Sequence, residues 1–250
     1  MDVSWEELGW ERLAAGVGRR RMPGWDCTIG LVAGDDAALM VDAGSSLREG
    51  AELRTQAQRL LGRRVTHLAL THPHFDHVLG AAVFSGVEVY GAVGLDSVLA
   101  AERDEICATA VREGLPRAEA VEAADLLVRP QHAVCGEWTL ELGGLQVLLA
   151  NVGPGHSGHD LVVLVPGAPD TPGTPGSREI VFCSDLVEES GEPQAGPDAV
   201  PSRWPAALDR LLDLGGEDAM YVPGHGSVVD ARFVRAQRDA LAARFGVSPR

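Results

Sequence analysis

The chain has 250 residues, 36 acidic against 21 basic, and a formal charge of −15. Acidity of that size excludes most nucleic-acid binders, whose contacts are Lys and Arg to phosphate, and disfavours docking on an anionic membrane. The length allows one large domain or two small ones, either able to bury a core.

The N-terminus, Met1-Asp2-Val3-Ser4-Trp5-Glu6-Glu7, lacks a basic segment followed by an apolar one, so a cytoplasmic protein is expected. Residues 1–24 read as a short extension ahead of a single domain with its core at about 25–240. The apolar runs Cys27–Val32 and Ala37–Val41 around Gly34-Asp35-Asp36 predict a hairpin. Ser45–Leu61 has helical spacing, with Ser45 or Ser46 as N-cap and Gly62 as the stop. Val65–Leu70 reads as a buried strand, His77–Phe84 as a short helix and Val87–Tyr90 as a strand. Leu95–Ala124 is helical, interrupted at Gly114 and Pro116. Trp138–Leu142 and Leu145–Leu149 flank Gly143-Gly144, a second hairpin. Leu161–Val165 and Ile180–Cys183 are strands bracketing a Pro/Gly-rich loop, Pro166–Arg178. A second such loop, Glu188–Arg203, precedes helices at Trp204–Leu214 and Ala231–Phe245, with a strand at Met220–Val222. The mixture predicts an α/β sandwich. Four cysteines (Cys27, Cys107, Cys135, Cys183) lack CxxC spacing and read as free thiols.

The segment Thr71-His72-Pro73-His74-Phe75-Asp76-His77 follows a buried strand and packs four ligand-type side chains into six residues. Three satellites share its character. Gly155-His156 opens a Gly-rich loop, Ser184-Asp185 ends a strand with an acid, and Gly224-His225-Gly226 carries a His on a tight turn. Each follows or precedes a strand end, where open α/β sheets build sites. Five imidazoles and two carboxylates suit zinc first, with iron or manganese possible. Seven ligands exceed one tetrahedral ion and fit two that share a carboxylate.

With Val41-Asp42-Ala43-Gly44 ahead of these motifs, the chain resembles the metallo-β-lactamase superfamily over roughly residues 25–240. The resemblance implies a four-layer αββα sandwich with metals at one edge of its two sheets. It implies that His72, His74 and His156 hold a first metal, that Asp76, His77 and His225 hold a second, and that Asp185 bridges them. Asp42 would support the ligand loop, and His159 has no place in the pattern. Departures narrow the branch. The superfamily's true β-lactamases lack the bridging carboxylate that Asp185 supplies. Glutathione thioesterases add a basic helical domain for which this chain has no room. Lactonases of the family use a Tyr that is absent between His156 and Asp185.

The expected activity is therefore hydrolysis of an ester, thioester, lactone or related acyl bond of a small molecule. A hydroxide bridging two zinc ions would attack, with Asp76 orienting it. The alternative is an oxidoreductase resembling the mononuclear iron sulfur dioxygenases. Residues 95–124 and the two loops are the expected substrate walls; the oligomeric state stays open.

Overall fold

The structure, a computed structural model, describes residues 3–168 and 176–247. The chain forms two units, one running to Cys135 and including Glu141–Leu145, the other made of Gly136–Leu140 and the chain from Gln146 onward.

The first unit opens with a 3-10 turn at Glu6–Leu8 and strands β1 (Glu11–Ala14), β2 (Val17–Arg21), β3 (Thr28–Ala33) and β4 (Ala38–Val41). Then come α1 (Leu47–Leu61), β5 (His67–Leu70), α2 (Phe75–Val78), a 3-10 turn at Ala81–Val83, and β6 (Glu88–Ala92). Helices α3 (Leu95–Ala101), α4 (Arg103–Arg112) and α5 (Arg117–Asp125) lead to β7 (His132–Val134). The strands form one mixed sheet in sequence order, antiparallel from β1 to β4 and parallel from β4 to β7. All four residues of β4 are buried, as expected of a strand covered on both faces. In α1, the Ser46 side chain caps the Glu49 amide at 3.2 Å, and Gly62 ends the helix in the left-handed region. Leu53 and Ala57, four residues apart, turn the same face into a core with Leu31, Leu68 and Leu70.

Three expectations changed here. The helix expected over His77–Phe84 is α2 followed by a separate 3-10 turn. Gly80 separates them because the chain must touch the β4 exit: a Cβ there would lie 2.0 Å from the Ala43 carbonyl oxygen. Residues 95–124 break around Gly114 and Pro116 as expected, but a further break at Glu102 makes them three helices. Residues 1–24, read as an extension, supply β1 and β2. Three consecutive arginines disguise β2, yet Arg19 is buried and paired with Glu11 at 2.7 Å.

The second unit holds β8 (Glu137–Glu141), β9 (Gln146–Asn151), β10 (Leu161–Val165), β11 (Ile180–Glu188), α6 (Trp204–Gly215), β12 (Met220–His225) and α7 (Ala231–Phe245). Its mixed sheet runs β12-β11-β10-β9-β8, with β11 and β12 parallel. The β8–β9 turn places Gly143 and Gly144 both at positive φ, as a tight hairpin requires. Trp204, Leu208 and Leu211 of α6 are fully buried with Val181 and Tyr221. Each buried leucine contributes about 1.5–3 kcal/mol of transfer free energy. Strand β11 continues five residues past the expected Cys183, carrying Asp185 within it. Of the loop expected over 166–178, residues 169–175 lie outside the described residues. Among the described residues no helix is long and apolar enough to cross a membrane. Cys27 and Cys183 are buried free thiols, whereas Cys135 is exposed.

Candidate metal centre

In the first unit, parallel pairing of β4 with β5 places Val41 beside Ala69, so Asp42 meets Thr71 just beyond the strand ends. Asp42 is buried, with φ of 62°, a left-handed conformation that Asp tolerates better than most residues. Its carboxyl accepts from the Thr71 amide at 2.9 Å and from Thr71 Oγ1 at 2.8 Å, and lies 2.8 Å from His77 Nδ1. Burial pushes this carboxyl above the usual Asp range, while His77 and Thr71 pull it back. With the Thr71 amide and hydroxyl both donating to it, we read Asp42 as a carboxylate.

That reading sets two imidazole tautomers. His77 gives its Nδ1 proton to Asp42, which leaves the Nε2 lone pair for a cation. Thr71 Oγ1 spends its single proton on Asp42, so at 3.0 Å from His72 Nδ1 it accepts. His72 is thereby also left with a basic Nε2. The His72 ring lies 4.5 Å from that of His74 and 4.3 Å from that of His77, centre to centre. His77 Nε2 stands 3.5 Å from Asp76 Oδ2.

In the second unit His156 sits in a loop tied by Asp160. The Asp160 carboxylate accepts from the Ser157 amide at 3.0 Å and from Ser157 Oγ at 2.7 Å. Trp204, which is buried, meets the His156 ring edge-on at 5.3 Å. Asp185 follows Ser184, whose φ is 48° where the β11–β12 register shifts. Its Oδ2 lies 3.5 Å from His156 Nε2 and 3.3 Å from His225 Nε2. A Cβ on Gly224 would fall 1.8 Å from Asp185 Oδ1, so only glycine leaves room for the acid.

The donor set passes a spacing test for a metal. Two ligands each about 2.1 Å from a tetrahedral zinc stand about 3.4 Å apart. The imidazole-to-carboxylate separations of 3.5, 3.5 and 3.3 Å fall at that spacing. They exceed the roughly 2.7–2.9 Å of a charge-assisted hydrogen bond.

Residues 22–225 match the metallo-β-lactamase superfamily. The chain belongs to that superfamily. Among solved structures it is similar to a metallo-β-lactamase from Pontibacter korlensis, at 21% identity and TM-score 0.68, covering 93% of this chain and 97% of that one. It is also similar to the metallo-β-lactamase FIM-1 from Pseudomonas aeruginosa in a mono-zinc form, at 18% identity and TM-score 0.67, covering 94% and 95%. These likenesses show the metallo-β-lactamase fold, as expected from the motifs. The superfamily is generally hydrolytic, and this member is a metallohydrolase with His/Asp clusters able to hold metal.

Two residues around the first unit's ligands carry no site signal in the sequence. Thr71 only opens the His-rich run, and Cys27, a free thiol as expected, is buried. Its Sγ donates to the Asp76 carbonyl at 3.2 Å and lies 3.7 Å from both ring nitrogens of His77. Burial pushes its pKa far up, which keeps it a thiol. Only the 49-residue contact with Asp76 identifies it.

Proposed function

We propose that this metallo-β-lactamase-superfamily member is a dinuclear zinc hydrolase acting on an acyl bond (ester, thioester or lactone) of a small molecule in the cytoplasm. His72, His74 and His156 would hold one ion and Asp76, His77 and His225 the other, with Asp185 shared. The observation that supports this most is the set of three Nε2-to-carboxylate separations at metal-ligand spacing. When bound, the ions would supply a water of lowered pKa and Lewis-acid polarisation of a carbonyl.

The chain's own residues do the rest. Asp42 and Thr71 hold His77 and His72 in the tautomers that present Nε2. Asp76 would help hold the metal and orient the attacking water. Asp160 fixes the loop that carries His156. The charge of −15 supports neither nucleic acid nor membrane as a partner. The test is the metal content of the purified protein, read beside turnover of aryl esters, thioesters and lactones. Two zinc ions per chain with turnover are expected. Less than one metal per chain, unchanged on reconstitution, overturns the reading.

A further inference from the structure

We propose that the cleft beside the carboxyl end of α1 in the first unit binds a soluble organic phosphate. The cleft has a volume of about 550 Å³, within the roughly 300–1,000 Å³ typical of small-molecule sites. Arg54 and Arg59 of α1 and Arg64 of the segment entering β5 line it, and no Asp or Glu does.

That composition runs against the rest of the chain. Acids outnumber arginines 36 to 21, and several arginines elsewhere pair with carboxylates. Arg19 pairs with Glu11, Arg20 with Glu52, Arg21 with Asp26 and Arg238 with Asp209. Among the described residues, neither Arg59 nor Arg64 has such a partner. Arg59 in the last turn of α1 also complements the helix dipole, which accounts for one arginine but not three.

The cleft is organised for an anion with an apolar body. Arg54 donates one N–H to the Val83 carbonyl at 2.7 Å, which holds its guanidinium at the wall and leaves further donors for a ligand. Guanidinium groups take phosphate oxygens in pairs, with more directionality than ammonium. Val65 and Phe84, both buried, also line the cleft and make part of its wall apolar. Ser85 adds a hydroxyl to the lining. The site stands apart from the metal ligands along β5, because Val65 precedes the strand and His72 follows it.

ADP is the probe, titrated calorimetrically into the wild-type protein and into R59Q/R64Q. Both arginines are exposed, so the variant is expected to keep the wild-type melting temperature; if it does not, R59Q and R64Q are read singly. One-to-one binding of ADP, weakened at least about tenfold in the variant and absent for adenosine, is the expected result. Unchanged affinity in a folded variant would place the phosphates elsewhere, for instance at the ligand-rich clusters, and overturns the proposal. No ADP binding to the wild type overturns it too, as does binding only to phosphoinositide vesicles.

Discussion

In the first unit, four ligand-type side chains (His72, His74, Asp76, His77) come from one short run, backed by a single carboxylate, Asp42. In the second, His156, Asp185 and His225 come from three separated segments with separate supports. A loop carboxylate ties His156, while the β11–β12 register and the gap at Gly224 admit Asp185. A contiguous cluster needs only local spacing and one buttress. A dispersed one needs several strands to arrive in register, so its failure points are spread over the sheet.

The largest expected effect comes from Asp185→Asn. It removes the oxygen that both His156 and His225 face, and should lower metal content and cut turnover by at least about 100-fold, beyond the range seen for outer supports. Full turnover in this variant would detach the second unit from the chemistry. Asp42→Asn comes next. An amide cannot accept from Thr71 and His77 as a carboxylate does, and metal affinity should fall about 10–100-fold, read by competition with a chromophoric chelator. Equal losses for Asp42→Asn and Asp160→Asn would erase the contrast between one shared buttress and several separate ones.

Gly224→Ala forces a Cβ against Asp185 and should destabilise the fold by about 1–3 kcal/mol, measured by urea unfolding. The same substitution at Gly62 meets open space but strains a positive φ, so it should cost stability without changing metal content. The smallest effect concerns His67, at the opposite end of β5 from the ligand run. Burial lowers its pKa below the ordinary His range, Glu88 raises it in part, and His132 adds to the lowering. The unfolded chain therefore binds this proton more readily. The His67 contribution is complete above the ordinary His pKa and is lost as pH falls through that range. His67→Gln should make the decline in melting temperature between about pH 7.5 and 5.5 shallower; an unchanged slope would remove His67 from the account.

Elements with strong local signals were legible. Ser46 and Gly62 bounded α1, and Gly143-Gly144 marked its hairpin. Strands β2 and β7 were not: one hides behind three arginines and the other has three residues, too few for alternation to register. The short helix after the ligand run was misplaced because its end is set by Gly80 touching Ala43, a contact made across the fold.

The same division holds at the site. The sequence by itself determined which side chains carry ligand chemistry, because donor type and spacing within a run such as His72–His77 are local properties. Tertiary structure alone decided which nitrogen His72 and His77 present. That choice belongs to Asp42, 29 residues before Thr71 and brought to it by the parallel register of β4 and β5. It also decided that Cys27 lies against Asp76 and His77. Hydrogen bonds between strands follow register, which depends on the whole sheet rather than on any one segment.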